Sequence, residues 1–297
     1  MKIAMTGSSG LIGSALRASL AGDGHSVVRM VRSAPTSGDE VRIDPRIPLD
    51  PGLFADVDAV VNLAGAGVGD HRWSPAYKKL IRDSRVRTTK AIVRALQSAP
   101  TRTRALISAS AIGYYGEENG DTRLTESAPA GQDFLATVCR DWEAATQPAR
   151  AAGVRTVQLR TGLVLDRDGG ALAPLLKVFR FGLGGRLGSG GQFWSTITLE
   201  DHVRAVRYLL SAADASGPYN LTGPEPATNG AVTKALGHTL HRPALLAGPP
   251  FALKAVLGEF ASGVLGSARV IPERLVDAGF TFRHPTIDAQ LRAVLAD

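Results

Sequence analysis

Residues suited to holding an anionic ligand stand early in the sequence, in the turn Thr6-Gly7-Ser8-Ser9-Gly10-Leu11-Ile12-Gly13. An apolar strand pattern over residues 2–6 leads into it. A helix pattern follows, with Leu11, Ile12, Ala15, Leu16, Ser19 and Leu20 on one face. Glycines at such a junction permit a tight turn, close approach of backbone to a pyrophosphate and close packing of helix on strand. The helix N-terminus adds unpaired N–H groups and a partial positive charge. The spacing Gly7-x-x-Gly10-x-x-Gly13 is one residue wider at the front than Gly-x-Gly-x-x-Gly. Its place between strand and helix makes Gly7, Ser8, Ser9, Gly10, Leu11, Ile12 and Gly13 the expected dinucleotide phosphate site; a plain strand-to-helix turn is the alternative.

The end of the second strand selects among dinucleotides. An acid there would accept from the adenosine ribose and favour NAD, whereas arginine would pair with the 2′-phosphate of NADP. The sequence offers Arg29-Met30-Val31-Arg32-Ser33, with no acid before Asp39. Arg32, with the Ser33 hydroxyl beside it, makes NADP the expected cofactor, against the alternative of a solvated surface arginine. Further along, Ser110, Tyr114 and Tyr115 place three hydroxyls together, where a proton could be exchanged with a substrate oxygen. Arg72-Trp73 follow the strand that ends in Asn62-Leu63-Ala64-Gly65. They could clamp an anionic substrate and wall it apolarly, or simply pack to hold their loop.

These residues need a scaffold, and hydrophobic period supplies its outline. Strands are expected at 26–31, 57–63, 105–110 and 154–161, helices at 75–97 and about 133–152, and a polar loop over 117–131. Alternating short strands and longer helices predict an α/β fold, a Rossmann-type doubly wound parallel sheet with ligands at the carboxyl ends of its strands. Residues 163–198 read as a glycine-rich excursion toward the substrate side. A helix over 199–213 and a short strand near 219–221 return to the sheet. Residues 1–222 then form a nucleotide-binding domain, and 223–297, helical with proline punctuation, a small mainly helical C-terminal lobe.

Composition excludes several classes. Of 297 residues, 44% are hydrophobic and 21% charged, the range of a globular chain rather than a disordered one. The single cysteine, Cys139, can form neither an internal disulfide nor a cysteine-built zinc site. The six histidines are scattered, and His238 with His241 lack a carboxylate partner at metal spacing, so no metal is expected. The net charge of +7 invites a nucleic-acid reading, but the basic residues are dispersed from Arg17 to Arg292. No signal core precedes the glycine turn and no window offers roughly 18 uninterrupted apolar residues. The expectation is a soluble, cytoplasmic protein acting on a small molecule, with no nucleic-acid or membrane partner, and with a homodimer left open.

The motifs together resemble the extended short-chain dehydrogenase/reductases: the Thr-Gly-x-x-Gly-x-x-Gly turn, Asn62-Leu63-Ala64-Gly65, Ser108-Ala109-Ser110 and Tyr115-Gly116. More narrowly, Arg72-Trp73 with Lys78 and Ser84-Arg85, the run from Ser108 to Gly116, Asp133-Phe134-Leu135 with Trp142-Glu143, Gly182-Leu183-Gly184-Gly185 and the stretch 272–282 resemble an atypical branch. That branch is described as an NAD-dependent epimerase/dehydratase family with a C-terminal domain of unknown function. The resemblance implies that Ala64 and Gly65 present backbone to the cofactor's ribose region and that Thr161 and Gly162 border the nicotinamide. It implies that Asn62 braces adjacent loops, and that Ser110 matches the hydroxyl binding the reacting oxygen.

The sequence departs from that group at its proton donor. Short-chain reductases carry Tyr-x-x-x-Lys on a helix, one turn apart on one face. Four residues beyond the five tyrosines, 77, 114, 115, 208 and 219, stand Ile81, Glu118, Asn119, Ala212 and Gly223. Anchored on Glu143, the two expected positions hold Leu135 and Cys139. Where related sequences tend to have Trp-Ile-His, this chain has Thr196-Ile197-Thr198. Two functions follow as expectations: an NADP-dependent oxidoreductase or epimerase-like enzyme with an unconventional proton donor, or a catalytically silent NADP-binding protein acting as a sensor or regulator.

Overall fold

Short runs of β-branched and apolar residues pair side by side as a seven-stranded sheet, every neighbour parallel. The coordinates are a computed structural model, describing residues 1–98 and 102–296; Asp297, the end of the expected lobe, lies outside them. The strands are β1 (Lys2–Thr6), β2 (Ser26–Val31), β3 (Glu40–Arg42), β4 (Ala59–Asn62), β5 (Ala105–Ala111), β7 (Arg155–Thr161) and, at the edge beyond β7, Gly217–Leu221. β6 (Glu118–Leu124) belongs to a separate pair. The sheet order runs from Gly217–Leu221 through β7, β5, β4, β1 and β2 to β3. Strand order reverses beside β1, which opens the ligand crevice of a doubly wound sheet at the carboxyl end of β1.

Both faces of the sheet are covered, which is why its strands read as apolar runs rather than alternating ones. On one face Ile3, Met5, Val61, Ile107 and Leu159 pack with Leu16 and Leu20 of α1 (Leu11–Gly22) and with Val206 and Leu209 of the helix Leu199–Ser211. On the other, Ala4, Val60 and Leu106 meet Ile92, Val93 and Leu96 of α2 (Pro75–Ser98). Burying each such aliphatic side chain stabilises the fold by about 1.5–3 kcal/mol before entropy is counted.

Three expectations need correction. The stretch 117–131 is not all loop: β6 pairs in parallel with Ser267–Val270. Only Leu124 of β6 is buried, so no apolar period marked it, and its partner is far away in the chain. The helix expected over 133–152 is two, α3 (Phe134–Ala144) and α4 (Gln147–Ala151). Pro148 sits in the first turn of α4, the one place its missing N–H leaves no helix bond broken. Finally, β5 runs one residue past the expected 105–110, to Ala111.

The glycine-rich excursion also carries structure. Its helix Leu172–Arg180 contributes Leu172, Leu176 and Phe179 to a core shared with Ala235, Leu236 and Leu291 of the C-terminal region. Strand pairs join the two as well, Gly185–Leu187 with Leu246–Gly248 and Phe193–Trp194 with Ala227–Thr228. The C-terminal region is mainly helical, from Asn229–Thr239 to Ile287–Leu295. Among the described residues no helix is long and apolar enough to cross a membrane.

Candidate functional site

The turn after β1 shows what each glycine does. Gly7 has φ +68°, and a Cβ there would lie 2.6 Å from the Leu63 carbonyl oxygen. A Cβ on Gly13 would lie 2.1 Å from the Gly7 oxygen. Both positions are closed by the protein's own backbone. Gly10 differs: its nearest neighbour for a Cβ is the Gly7 oxygen at 3.5 Å, and the residue is exposed. As the N-cap of α1 it carries no side-chain cap, and no acid occupies the first turn. The first-turn amides therefore have no intrahelical partner, and the space beside Gly10 is open. Ser8 is buried beneath the turn, Ser9 is exposed, and Leu11 and Ile12 pack against the first core layer. Unpaired amides and an open side at Gly10 are the features by which a helix N-terminus receives an anion.

Sheet register gathers the other residues at the same edge. Thr6 pairs with Met30 and with Asn62, Asn62 with Ser108, and Ala111 with Thr161. Arg32 and Ser33 follow directly beyond β2, both exposed. Among the described residues Arg32 has no ion pair, whereas Arg29 is taken up by Asp39 at 2.7 Å and Glu40 at 2.8 Å. The nearest acids thus face Arg29. Asn62 is fully buried, accepts from Thr6 Oγ1 at 2.7 Å and donates to Thr89 Oγ1 at 2.8 Å. It ties β1 to α2. Gly65 sits against the Arg85 guanidinium, which donates to the Ala66 carbonyl at 2.9 Å. Ala64 and Gly65 therefore expose main chain on a loop braced from α2. Thr161 Oγ1 lies 3.0 Å from His202 Nε2, and a Cβ on Gly162 would come 2.5 Å from the Ser195 oxygen.

The hydroxyls expected to exchange protons have three different settings. Ser110 is buried and its Oγ donates to Glu143 Oε1 at 2.7 Å. Glu143 in turn accepts twice from Arg160, at 2.8 and 2.9 Å. The same guanidinium donates to the Tyr115 hydroxyl at 3.0 Å, and Tyr115 donates to Asn220 Oδ1 at 2.7 Å. Burial pushes the Tyr115 phenol up to about 12, against the lowering pull of Arg160. Tyr115 thus faces the core as a bonded member of a polar network. Tyr114 stands outside it: its ring lies 3.5 Å beneath the Arg160 guanidinium, it is half-buried, and its hydroxyl has no hydrogen bond among the described residues.

Leu135 and Cys139 flank this group on α3. A Cβ on Gly113 would lie 3.3 Å from Leu135 Cβ and 3.8 Å from Cys139 Sγ. Burial pushes the Cys139 thiol up to about 12, which leaves no thiolate for nucleophilic work. Arg72 and Trp73 each bond within the chain: Arg72 Nη2 donates to the Ala255 carbonyl at 2.8 Å and Trp73 Nε1 to the Val68 carbonyl at 2.8 Å. The indole meets Phe134 and Phe260 at 5.1 and 5.8 Å, and Lys78 over the rings is paired with Glu259. The loop is thereby fastened to the C-terminal helices. Among the described residues no cluster of three or more histidines, cysteines or acids could hold a metal.

Sequence reasoning used Glu143 only as an anchor and passed over Arg160 and Asn220. A signal existed: Arg160 directly follows Leu159 inside a strand of the sheet, and a charge carried into a covered sheet requires a buried partner.

Comparison with known proteins agrees with this architecture. Residues 3–222 match the NAD dependent epimerase/dehydratase family, and residues 249–294 a domain of unknown function, DUF1731. The chain is 47% identical over 291 residues to an epimerase family protein of Mycobacterium bovis, Mb2239, covering 97% of this chain and 96% of that one. Among solved structures it resembles the human epimerase family protein SDR39U1 (isoform2), crystallised with NADPH, at a TM-score of 0.91 and 31% identity over 99% of both chains. It also resembles a nucleoside-diphosphate sugar epimerase from Corynebacterium glutamicum, at a TM-score of 0.81 and 36% identity, covering 99% of this chain and 58% of that one. With its glycine cradle, its parallel sheet and its family match over residues 3–222, the chain belongs to the NAD dependent epimerase/dehydratase family.

Proposed function

We propose that this protein is an NADP-dependent oxidoreductase acting on a small carbonyl or hydroxyl compound in the cytoplasm. The observation that carries the cofactor choice is Arg32, exposed and without an acid partner at the end of β2, beside a glycine cradle with open space over Gly10. Gly7 to Gly13 would hold the pyrophosphate, Arg32 and Ser33 the 2′-phosphate, Ala64 and Gly65 the ribose region, and Thr161 and Gly162 the edge of the nicotinamide. NADPH in the human relative's crystal supports this reading. Residues 1–222 would form the nucleotide-binding unit, with the excursion and the C-terminal lobe closing the substrate side.

When bound, the nicotinamide supplies or accepts a hydride at C4. The chain must move one proton at the substrate oxygen. Of the three hydroxyls, Tyr114 is the best placed to do so, since Ser110 is committed to Glu143 and Tyr115 to Asn220 and Arg160. Ser110 would then position the oxygen from within the strand.

Calorimetric titration tests the cofactor assignment. NADPH should bind at least about tenfold more tightly than NADH, because a charge-assisted contact is worth roughly 1.5–3 kcal/mol. Arg32→Ala should erase the difference; equal affinities in the parent protein would end the assignment. One observation favours a second reading, that of a silent NADP-binding protein: Leu135 and Cys139 fill the places of the usual dyad, and Cys139 is buried. Tight NADPH binding with no reduction across a panel of carbonyl compounds would make that reading the better one.

A further inference from the structure

Seven of the eleven exposed large apolar side chains among the described residues fall in two stretches of the chain. Val178, Phe181 and Leu183 belong to the excursion, and Leu245, Leu246, Phe251 and Val256 to the C-terminal region. Phe181 is 82% exposed, Leu245 89%, Phe251 76% and Val256 71%. Pairing of Gly185–Leu187 with Leu246–Gly248 joins the two stretches, closed by Gly188 N donating to the Gly248 carbonyl at 2.9 Å. Directly after that strand comes the helix Pro250–Leu257, Pro-Phe-Ala-Leu-Lys-Ala-Val-Leu, which buries none of its side chains.

Charge is patterned along the same two stretches of the chain. No Asp or Glu occurs between Asp168 and Glu200, nor between Glu225 and Glu259. Within those intervals stand Lys177, Arg180, Arg186, Lys234, Arg242 and Lys254. All six are exposed, and none is in an ion pair among the described residues. Arg186, Lys234 and Arg242 line a groove of about 650 Å³ together with Leu245 and Leu246. The groove thus brings three exposed cations beside two exposed leucines.

We propose that this face is a docking surface for an anionic phospholipid bilayer, with Phe181, Leu245 and Phe251 entering the headgroup boundary and the six cations meeting lipid phosphates and carboxylates. The apolar side chains stand out singly on a loop, a strand end and a helix, an arrangement that penetrates a fluid interface without needing a complementary partner shape. The unpaired cations supply the attraction to a negative leaflet. No helix among the described residues is long and apolar enough to cross a bilayer, so the contact is with its surface. This inference does not depend on the proposed catalytic activity.

The test is cosedimentation of the full chain with vesicles of phosphatidylcholine alone or mixed with phosphatidylserine. Affinity should rise at least about tenfold with phosphatidylserine and fall as salt increases. The triple variant Lys177→Ala, Arg180→Ala, Lys254→Ala should lose about fivefold per cation, roughly a hundredfold in all. Phe181→Ser with Phe251→Ser should weaken binding by at least about tenfold. Thermal unfolding of each variant checks the fold, which these exposed positions should leave intact. Absent or equal binding to both vesicle types, or unchanged binding by the variants, overturns the proposal. A dimer seen by sedimentation velocity without lipid, and lost in the same variants, would assign the face to a second copy instead.

Discussion

Gly10 and Gly13 occupy the same turn but should fail in different ways when given a side chain. Gly10 has φ −77° and ψ 172°, extended backbone that valine adopts readily, and a Cβ there meets nothing nearer than the Gly7 oxygen at 3.5 Å. Gly10→Val exchanges a tolerated N-cap residue for a poor one, a loss of about 1 kcal/mol or less. That should lower the Tm by roughly 2–4 °C. The new methyls fill the space beside the first-turn amides, so a pyrophosphate would have to withdraw from them. Losing one or two charge-assisted hydrogen bonds at about 1.5–3 kcal/mol each predicts a fall in NADPH affinity of at least about tenfold. Gly13→Ala, by contrast, drives a Cβ to 2.1 Å from the Gly7 oxygen and 2.9 Å from Ser8 Cα, so backbone must move. Overpacking of that kind destabilises by about 1–3 kcal/mol even before binding is considered. Calorimetric titration and thermal unfolding of the two variants separate the effects. A Gly10→Val protein that keeps NADPH affinity within about threefold of the parent would refute the phosphate role.

The hydroxyls and the buried histidine give further expectations. Once a substrate is known, Tyr114→Phe should lower kcat by roughly 10²–10⁴-fold with NADPH affinity nearly unchanged. Tyr115→Phe should instead destabilise by about 1–3 kcal/mol, by leaving Asn220 and Arg160 short of a partner, and should leave kcat close to the parent value; the reverse pattern would exchange the two roles. His202 is fully buried, and burial holds its imidazole down at about 4. Because the folded value lies below the unfolded one of about 6.5, stability from the neutral ring is present above that pH and is lost as pH falls toward 4. Urea midpoints measured between pH 7 and pH 4 should therefore slope less steeply in His202→Gln, and identical slopes would remove His202 as the cause.

What was legible in the sequence is what depends on near neighbours in the chain. Six of the seven strands of the sheet, the turn at Gly7 to Gly13 and the long helix Pro75–Ser98 follow from local period and local glycines, whereas the three-residue edge strand β3 (Glu40–Arg42) has too short a run to show a period. β6 was not legible, because its residues alternate neither in polarity nor in burial and its partner Ser267–Val270 lies more than a hundred residues away. The break between α3 and α4 rested on Pro148, a residue that helix period alone does not weigh.

The three hydroxyls at the end of β5 and just beyond it show the same limit in chemical terms. From sequence, Ser110, Tyr114 and Tyr115 are three equivalent proton carriers. What separates them is Arg160, contributed by the neighbouring strand through the register Ser110↔Arg160. One guanidinium binds Glu143, and through it fixes Ser110; it donates to Tyr115 and it covers the ring of Tyr114. A buried cation with several bonds immobilises what it touches through directed hydrogen bonds and constrains less what it only stacks upon. The strand that introduces the charge therefore decides which phenol is structural and which keeps a free hydroxyl. In a chain lacking Tyr-x-x-x-Lys, the proposed proton donor is set by the pairing between β5 and β7 rather than by spacing along any one helix.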